Sequence, residues 1–436
     1  MSGTAIGLWS ILFLVLLVYS GMHVPVVMII VSFVGIWLIR DNVELAGTML
    51  AFAATDSIEA YVFGVIPLFV LMGLLVMIAD LGKDSFAVAH QAFRKLPGNL
   101  GIATVMANAI FAAITGVSVA AATVFSKLAV PEMIRYGYDK RFAVGVVAGS
   151  SVLGMLIPPS VLFIIYGLVT NTSVGDLFLA GIIPGIVLAV AYAAMIWLRA
   201  RRHPALFGRN EASAAFAPLG KRQMAGMLLP ILLLIVLVLG GLYGGVFTAT
   251  ESGAVGALGA LAIALAKKRL SARGFWRLLT ETGHVTASLI LLIIAANVYS
   301  RMLAVSGLPM YLAQAIQEAG LGFVALMAVY LVVLLILGTL MDSASILLIC
   351  VPLFLPVFQA FQVDVVWLGV ITVIVVEIGL LTPPFGMAVF IVKASINDSS
   401  ISLHDIFMGT LPFAAVMLAV ALMVIAMPWM ATAFIR

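Results

Sequence analysis

Long apolar runs, interrupted by short charged or turn-forming stretches, set the pattern of this chain. A membrane-crossing helix needs about 20 apolar residues. Spans are predicted at roughly 5–20, 22–39, 58–82, 142–170, 175–198, 224–245, 248–266, 283–305, 365–395 and 406–430. Two further apolar stretches, 100–133 and 323–360, carry small or polar residues at their middles. These are Thr115-Gly116-Val117-Ser118 and Gly338-Thr339-Leu340-Met341-Asp342-Ser343. Each arm has about 15 residues, short for a crossing. Each stretch is therefore expected to be a re-entrant hairpin rather than a pair of spans joined by a turn.

Two of the predicted spans contain adjacent prolines, Pro158-Pro159 and Pro383-Pro384. Proline lacks an N–H and its ring clashes with the preceding turn. The helix is expected to break before each pair and restart with proline in its first turn. Irregular backbone at membrane depth is tolerated only where it is buried in protein or lines a polar cavity. Corresponding breaks in two halves mark a transporter's binding site.

The halves repeat. A shift of 225 residues superimposes Pro131 on Pro356, Asp139 on Asp364, Gly154 on Gly379, Pro158 on Pro383, Ser118 on Ser343 and Gly82 on Gly307. Each half then holds five spans and one hairpin. Five is odd, so the second half enters the membrane inverted, the plan of secondary transporters. The fold class expected is an all-α polytopic membrane protein with an inverted repeat, broken helices and two hairpin tips meeting near the midplane.

Composition and charge agree. Of 436 residues, 64% are hydrophobic and 9% charged, against roughly 25% charged in soluble domains. The formal net charge of +4 reads as topology signal in short loops, not as a nucleic-acid surface. Arg199, Arg201, Arg202, Arg209, Lys221 and Arg222 cluster between two spans, and Lys267, Lys268, Arg269, Arg273 and Arg277 cluster two spans later. Both clusters should face the cytoplasm, which puts both termini outside. The stretches near 42–57 and 268–282 read as interfacial connectors. The single cysteine, Cys350, excludes an internal disulfide.

No phosphate-binding glycine loop, metal-spaced histidines or nucleophile–base set is visible, so neither an ATP-driven pump nor a membrane enzyme is expected. An ion gradient is the expected energy source. Unwound carbonyls and half-helix C-termini suit sodium, and half-helix N-termini suit an anion. One sodium is expected at the first tip, among Gly116, Ser118 and the Ser150–Gly154 backbone, with Thr115 beside it. Another is expected at the second tip, among Gly338, Thr339, Asp342, Ser343, Gly379 and Thr382. Any one of these hydroxyls can instead bond a helix carbonyl. Asp342 is the leading sodium-linked carboxylate, since an intramembrane charge is expensive. Arg301 either pairs with a substrate carboxylate or snorkels to the outer surface. Thr115, Pro158 and Pro383 complete the expected substrate site. Glu377, five residues before Thr382, reads as structural.

The runs Ala112–Thr123, Val130-Pro131-Glu132-Met133, Gly137-Tyr138-Asp139-Lys140, Leu156–Ser160, Leu179–Gly185, Thr250-Glu251 and Glu377–Pro384 resemble the large membrane subunit of tripartite ATP-independent periplasmic (TRAP) transporters. The resemblance covers essentially the whole chain. Val117 stands where that family often has serine, which leaves ligation there to the backbone, and Ala249 stands where it often has proline.

The resemblance implies two partners, a small four-helix membrane subunit and a periplasmic substrate-binding protein, each a separate polypeptide. It implies sodium-coupled, elevator-like import of an organic acid, such as a dicarboxylate, sialic acid or sugar acid, across a bacterial inner membrane. On this plan residues 1–57 are scaffold helices and connector, and 58–198 the first part of the transport domain. Residues 199–223 are a cytoplasmic loop, 224–282 scaffold and connector again, and 283–436 the second part of the transport domain. A stand-alone sodium/dicarboxylate symporter of similar architecture is the alternative.

Overall fold

A computed structural model of the chain describes residues 2–59, 61–208, 219–319, 322–396 and 398–435. Arg209 and the rest of 209–218, within the expected cytoplasmic loop, lie outside the described residues.

The chain opens with α1 (Gly3–Tyr19), α2 (Val24–Arg40) and α3 (Val43–Glu59), then α4 (Val65–Ile78) and α5 (Leu81–Phe93). The first hairpin is α6 (Asn99–Thr115) and α7 (Ser118–Arg135). The first broken helix is α8 (Lys140–Ser151), one turn of α9 (Leu153–Leu156), and α10 (Val161–Thr170), bent by 41°. The long α11 (Val174–Arg202) closes the half.

The second half follows the same order. It runs through α12 (Lys221–Tyr243), α13 (Ala249–Ala266), α14 (Ala272–Ser306) and α15 (Leu308–Glu318). The second hairpin is α16 (Phe323–Gly338) and α17 (Ser343–Ala360), followed by the broken helix α18 (Val365–Gly379) and α19 (Met387–Ser395). Then come α20 (Leu403–Ala426) and the short α21 (Trp429–Thr432). Among the described residues six helices are long and apolar enough to cross a membrane, and two bent pairs bring that to eight.

The repeat is physical. Helices α7 and α17 begin and end in the same register. Asp139 caps α8 by accepting from the Phe142 N–H at 2.9 Å, and Asp364 caps α18 by accepting from the Trp367 N–H at 2.8 Å. The halves interlock as well. Helix α13 packs on α4 while α14 packs on α2, the same pair of helices exchanged between halves. Helix α10 packs on the second hairpin's α17, and α19 packs on the first hairpin's α7. Each restarted half-helix is thus seated on the other half's hairpin, which joins both hairpins and both breaks into one body.

Four expectations change. The second hairpin's returning arm, α17, has 18 residues rather than about 15 and is itself one of the six helices long enough to cross. The second connector is continuous with the following span in the single helix α14. Two short helices not expected, α5 and α15, precede the hairpins, with α5 bent by 63° from α4. The prolines do not open the restarted helices. Ser160, after Pro158-Pro159, caps α10 by accepting from the Phe163 N–H, and α19 begins three residues beyond Pro384. At the second break Phe385, between the prolines and α19, is bonded to the hairpin tip; at the first the bonded residue is Val161, the first of α10.

Candidate functional site

Each hairpin tip meets the break of its own half. At the first tip Gly116 adopts φ +65°, a left-handed conformation that glycine enters without steric penalty, so the chain reverses over two residues. The Val161 N–H, at the start of α10, donates to the Gly116 carbonyl at 3.2 Å. At the second tip the Phe385 N–H, in the break, donates to the Thr339 carbonyl at 3.1 Å. The two bonds fall within two residues of equivalence in the repeat. Close approach is secured by glycine. A Cβ on Gly338 would lie 2.7 Å from the Gly379 Cα, and one on Gly154 would lie 3.0 Å from the Ser118 nitrogen. No side chain fits there.

Further down each seam a polar clip ties hairpin to broken helix. Asn108 of α6 donates through Nδ2 to Ser150 Oγ at 2.6 Å. Tyr330 of α16 meets Thr372 Oγ1 at 2.8 Å. Thr372 gives its own hydrogen to the Leu368 carbonyl, so Tyr330 is the donor. In the repeat register the clips are one helical turn apart. Sequence reading passed over both, although a lone asparagine in an apolar arm is a usable signal.

The expected hydroxyl ligands place their hydrogens locally. Thr115 donates to the Phe111 carbonyl, Ser150 to Val146, Thr339 to Ile336 and Thr382 to Gly379, at 2.6–2.9 Å. Ser343 donates to Glu377 Oε1 at 2.8 Å. A hydroxyl that has given its hydrogen still offers lone pairs, which is what a cation needs. Asp342 caps α17, its Oδ2 accepting from the Ser345 N–H at 3.0 Å and its Oδ1 from the Ser345 hydroxyl, and the half-buried side chain borders open space.

That space is a cavity of about 190 Å³ lined by both tips and both breaks. Val117 and Ser118 come from the first tip, Asp342 and Ser343 from the second, Met155 and Leu380 from the breaks. Val285 and Leu289 of α14 form the facing wall. Of the expected site residues, Ser118, Asp342 and Ser343 line the cavity. Thr115, Gly116, Ser150, Gly154 and Pro158 are buried behind the first tip. Gly338 and Gly379 are buried at the second, Thr339 and Thr382 are half-buried, and Pro383 is exposed.

Arg301 is elsewhere. Its guanidinium pairs with Asp56 of α3, in a separate cavity of about 510 Å³ that includes Asn171, Thr172 and Asn297. The expectation that Arg301 would sit with Thr115, Pro158 and Pro383 is not met, because the protein itself supplies a carboxylate for it.

A family model described as "Tripartite ATP-independent periplasmic transporter, DctM component" matches residues 11–430. The chain is 33% identical to the C4-dicarboxylate TRAP transporter large permease protein DctM of Pseudomonas aeruginosa, over 79% of this chain and 80% of that one. It is 32% identical to the sialic acid TRAP transporter large permease protein SiaM of Vibrio cholerae, over 94% of each. Among solved structures, the YdaH transporter of Alcanivorax borkumensis, described as having an unusual topology, aligns with a TM-score of 0.61 over 91% of each chain at 13% identity. That likeness is one of fold.

Proposed function

This chain belongs to the tripartite ATP-independent periplasmic transporter family, as its DctM component, and we propose that it is the large permease subunit of a sodium-coupled importer of organic acids. The observation that carries the reading is the single cavity onto which both hairpin tips and both helix breaks open. A broken helix offers its half-helix C-terminus to a cation and the N-terminus of the restarted half to an anion. Helices α8–α9 and α18 supply the first kind of end, and α10 and α19 the second.

Sodium is assigned to two places. The first is the Ser150–Gly154 backbone with Gly116 and Ser118, Thr115 lying beside it. The second is Gly338, Thr339, Asp342 and Ser343 with Gly379 and Thr382. The last carbonyls of α9 and α18 lie beyond the regular helix ladder; those of Met155 and Gly379 accept from the Ser160 and Thr382 hydroxyls, and Asp342 adds a formal negative charge to the second place. Relatives named for C4-dicarboxylate, sialic acid and 2,3-diketo-L-gulonate favour a carboxylate cargo. They also favour a small membrane subunit and a periplasmic binding protein as partners. The interlocking of α10 with α17 and of α19 with α7 suits an elevator in which hairpins and broken helices move as one block. The basic clusters orient the chain in a bacterial inner membrane with Arg199–Arg222 and Lys267–Arg277 inside.

The test is uptake of candidate organic acids into proteoliposomes under an inward sodium gradient, with and without the cognate binding protein. Sodium-driven uptake that needs the binding protein and collapses in Asp342→Ala supports the proposal. Uptake without the binding protein would favour the stand-alone symporter. Uptake indifferent to sodium would remove the coupling assignment.

A further inference from the structure

The groove between α11 and α20 holds a cavity of about 830 Å³, remote from the hairpin tips. Its walls are Ala191, Ala194, Met195 and Leu198 on one side and Val416, Ala419, Val420 and Met423 on the other. Both sets recur at helical spacing, so each is one continuous apolar stripe. At the end of α11 the lining turns basic with Arg199, Arg202 and His203, and no acidic residue joins it.

Among the described residues none of these three has an ion-pair partner. Arg199 and Arg202 stand three residues apart, on the same face of α11. Arg201, between them, turns away, its guanidinium 3.9 Å from the Trp197 ring centroid. The arginines are not demanded by the fold: α20 matches α11 at Gly409 for Gly181 and Pro412 for Pro184, which places Met427 and Met430 at the equivalent positions of the second half. A leaflet-specific demand remains.

We propose that this groove binds one anionic phospholipid, its acyl chain along the apolar stripes and its phosphate held by Arg199 and Arg202. Guanidinium groups bind phosphate in a fork geometry. Basic pockets between membrane helices on the cytoplasmic side suit anionic headgroups. The choice of the cytoplasmic leaflet rests on the orientation proposed above, whereas headgroup selectivity does not, so the two can fail separately.

The test uses the full-length chain equilibrated with phosphatidylglycerol and phosphatidylcholine of identical acyl chains, with retained lipid counted by native mass spectrometry. With each arginine contributing as basic residues near an anionic surface do, phosphatidylglycerol should be retained at least about tenfold better. Arg199→Gln with Arg202→Gln should abolish the preference. Ala419→Trp, which fills the apolar stripe and leaves the arginines in place, should reduce retention of long-chain phosphatidylglycerol, a check that survives misfolding of the double variant. A photo-crosslinker at Ala194 should yield a lipid adduct. Equal retention of the two lipids, a preference that persists in the double variant, or a polypeptide adduct at Ala194 would each overturn the proposal.

Discussion

Ser343 Oγ donates to Glu377 Oε1 at 2.8 Å, joining the second hairpin's returning arm to the last turn of α18. Both side chains are buried, Glu377 completely, and Glu377 Oε2 has no hydrogen-bond partner. Leaving a buried acceptor unsatisfied costs about 1–3 kcal/mol. Ser343→Ala should therefore destabilise the protein by about that amount. Glu377→Gln keeps an oxygen that accepts from Ser343 and should cost less. Thermal unfolding in lipid nanodiscs distinguishes the variants. Equal losses would mean that the Ser343 bond is not what the second hairpin depends on.

Glycine and proline made the hairpins and breaks readable, because only certain residues allow a reversal or a halt at membrane depth. The repeat was readable because Asp139 and Asp364 perform the same capping at the same offset. Helices α5 and α15 were not readable as spans, since each is short and amphipathic. Arg301 could not be placed, because its partner Asp56 lies 245 residues away in sequence and nothing in the apolar pattern pairs them. Nor did the sequence say that Ser118, Asp342 and Ser343 would share a cavity from which Gly154 and Thr382 are absent. That division depends on how the two tips converge in space.

The seam at Gly338 and Gly379 yields a sharper test. A Cβ on Gly338 would fall 2.7 Å from backbone, where no flexible side chain can yield. Gly338→Ala should separate the second tip from the break, costing about 1–3 kcal/mol as overpacking does, and should abolish sodium-driven uptake. Gly283→Ala in α14 meets nothing within 4 Å and should be neutral or stabilising by about 0.5–1 kcal/mol, since alanine favours a helix. Unfolding temperature and uptake, measured on both variants, carry the comparison. Normal uptake in Gly338→Ala would mean that the close approach is dispensable.

A pH dependence is expected in the loop before α20. Asp398 Oδ1 accepts from the Ser400 hydroxyl and amide at 2.6 and 2.8 Å, and Lys140 Nζ lies 3.3 Å from Oδ2. The Ser400 hydroxyl first, then its amide, and lastly Lys140 hold the Asp398 carboxyl below the usual carboxylate range. A depressed value means that the stabilisation is complete above the unfolded pKa of about 3.9 and is lost as pH falls through the folded one. Amide protection at Ser400 and Ile401 should thus hold from neutral pH to about 4 and decline only below it. Ser400→Ala should move the decline upward. Hydrogen exchange followed by mass spectrometry reads both, and an onset unchanged by Ser400→Ala would assign the shift to the backbone amide and Lys140 instead.

The two halves share a register but not an environment. Ser160 and Phe385 are equivalent in the repeat, yet Ser160 is fully buried and Phe385 is 51% exposed. The first break is closed over and the second is open. In an inverted repeat, transport can exchange those two environments while keeping the fold. Cys350, the single native cysteine, is buried, so introduced thiols report cleanly. In the state described here a small maleimide should modify Phe385→Cys rapidly and Ser160→Cys slowly. Sodium with substrate, added to drive the cycle, should shift the two rates in opposite directions. If both rates rise or fall together, the halves are opening as a unit and the exchange of roles is wrong. If Ser160→Cys is labelled as fast as Phe385→Cys from the start, the asymmetry between the breaks is itself absent in the membrane.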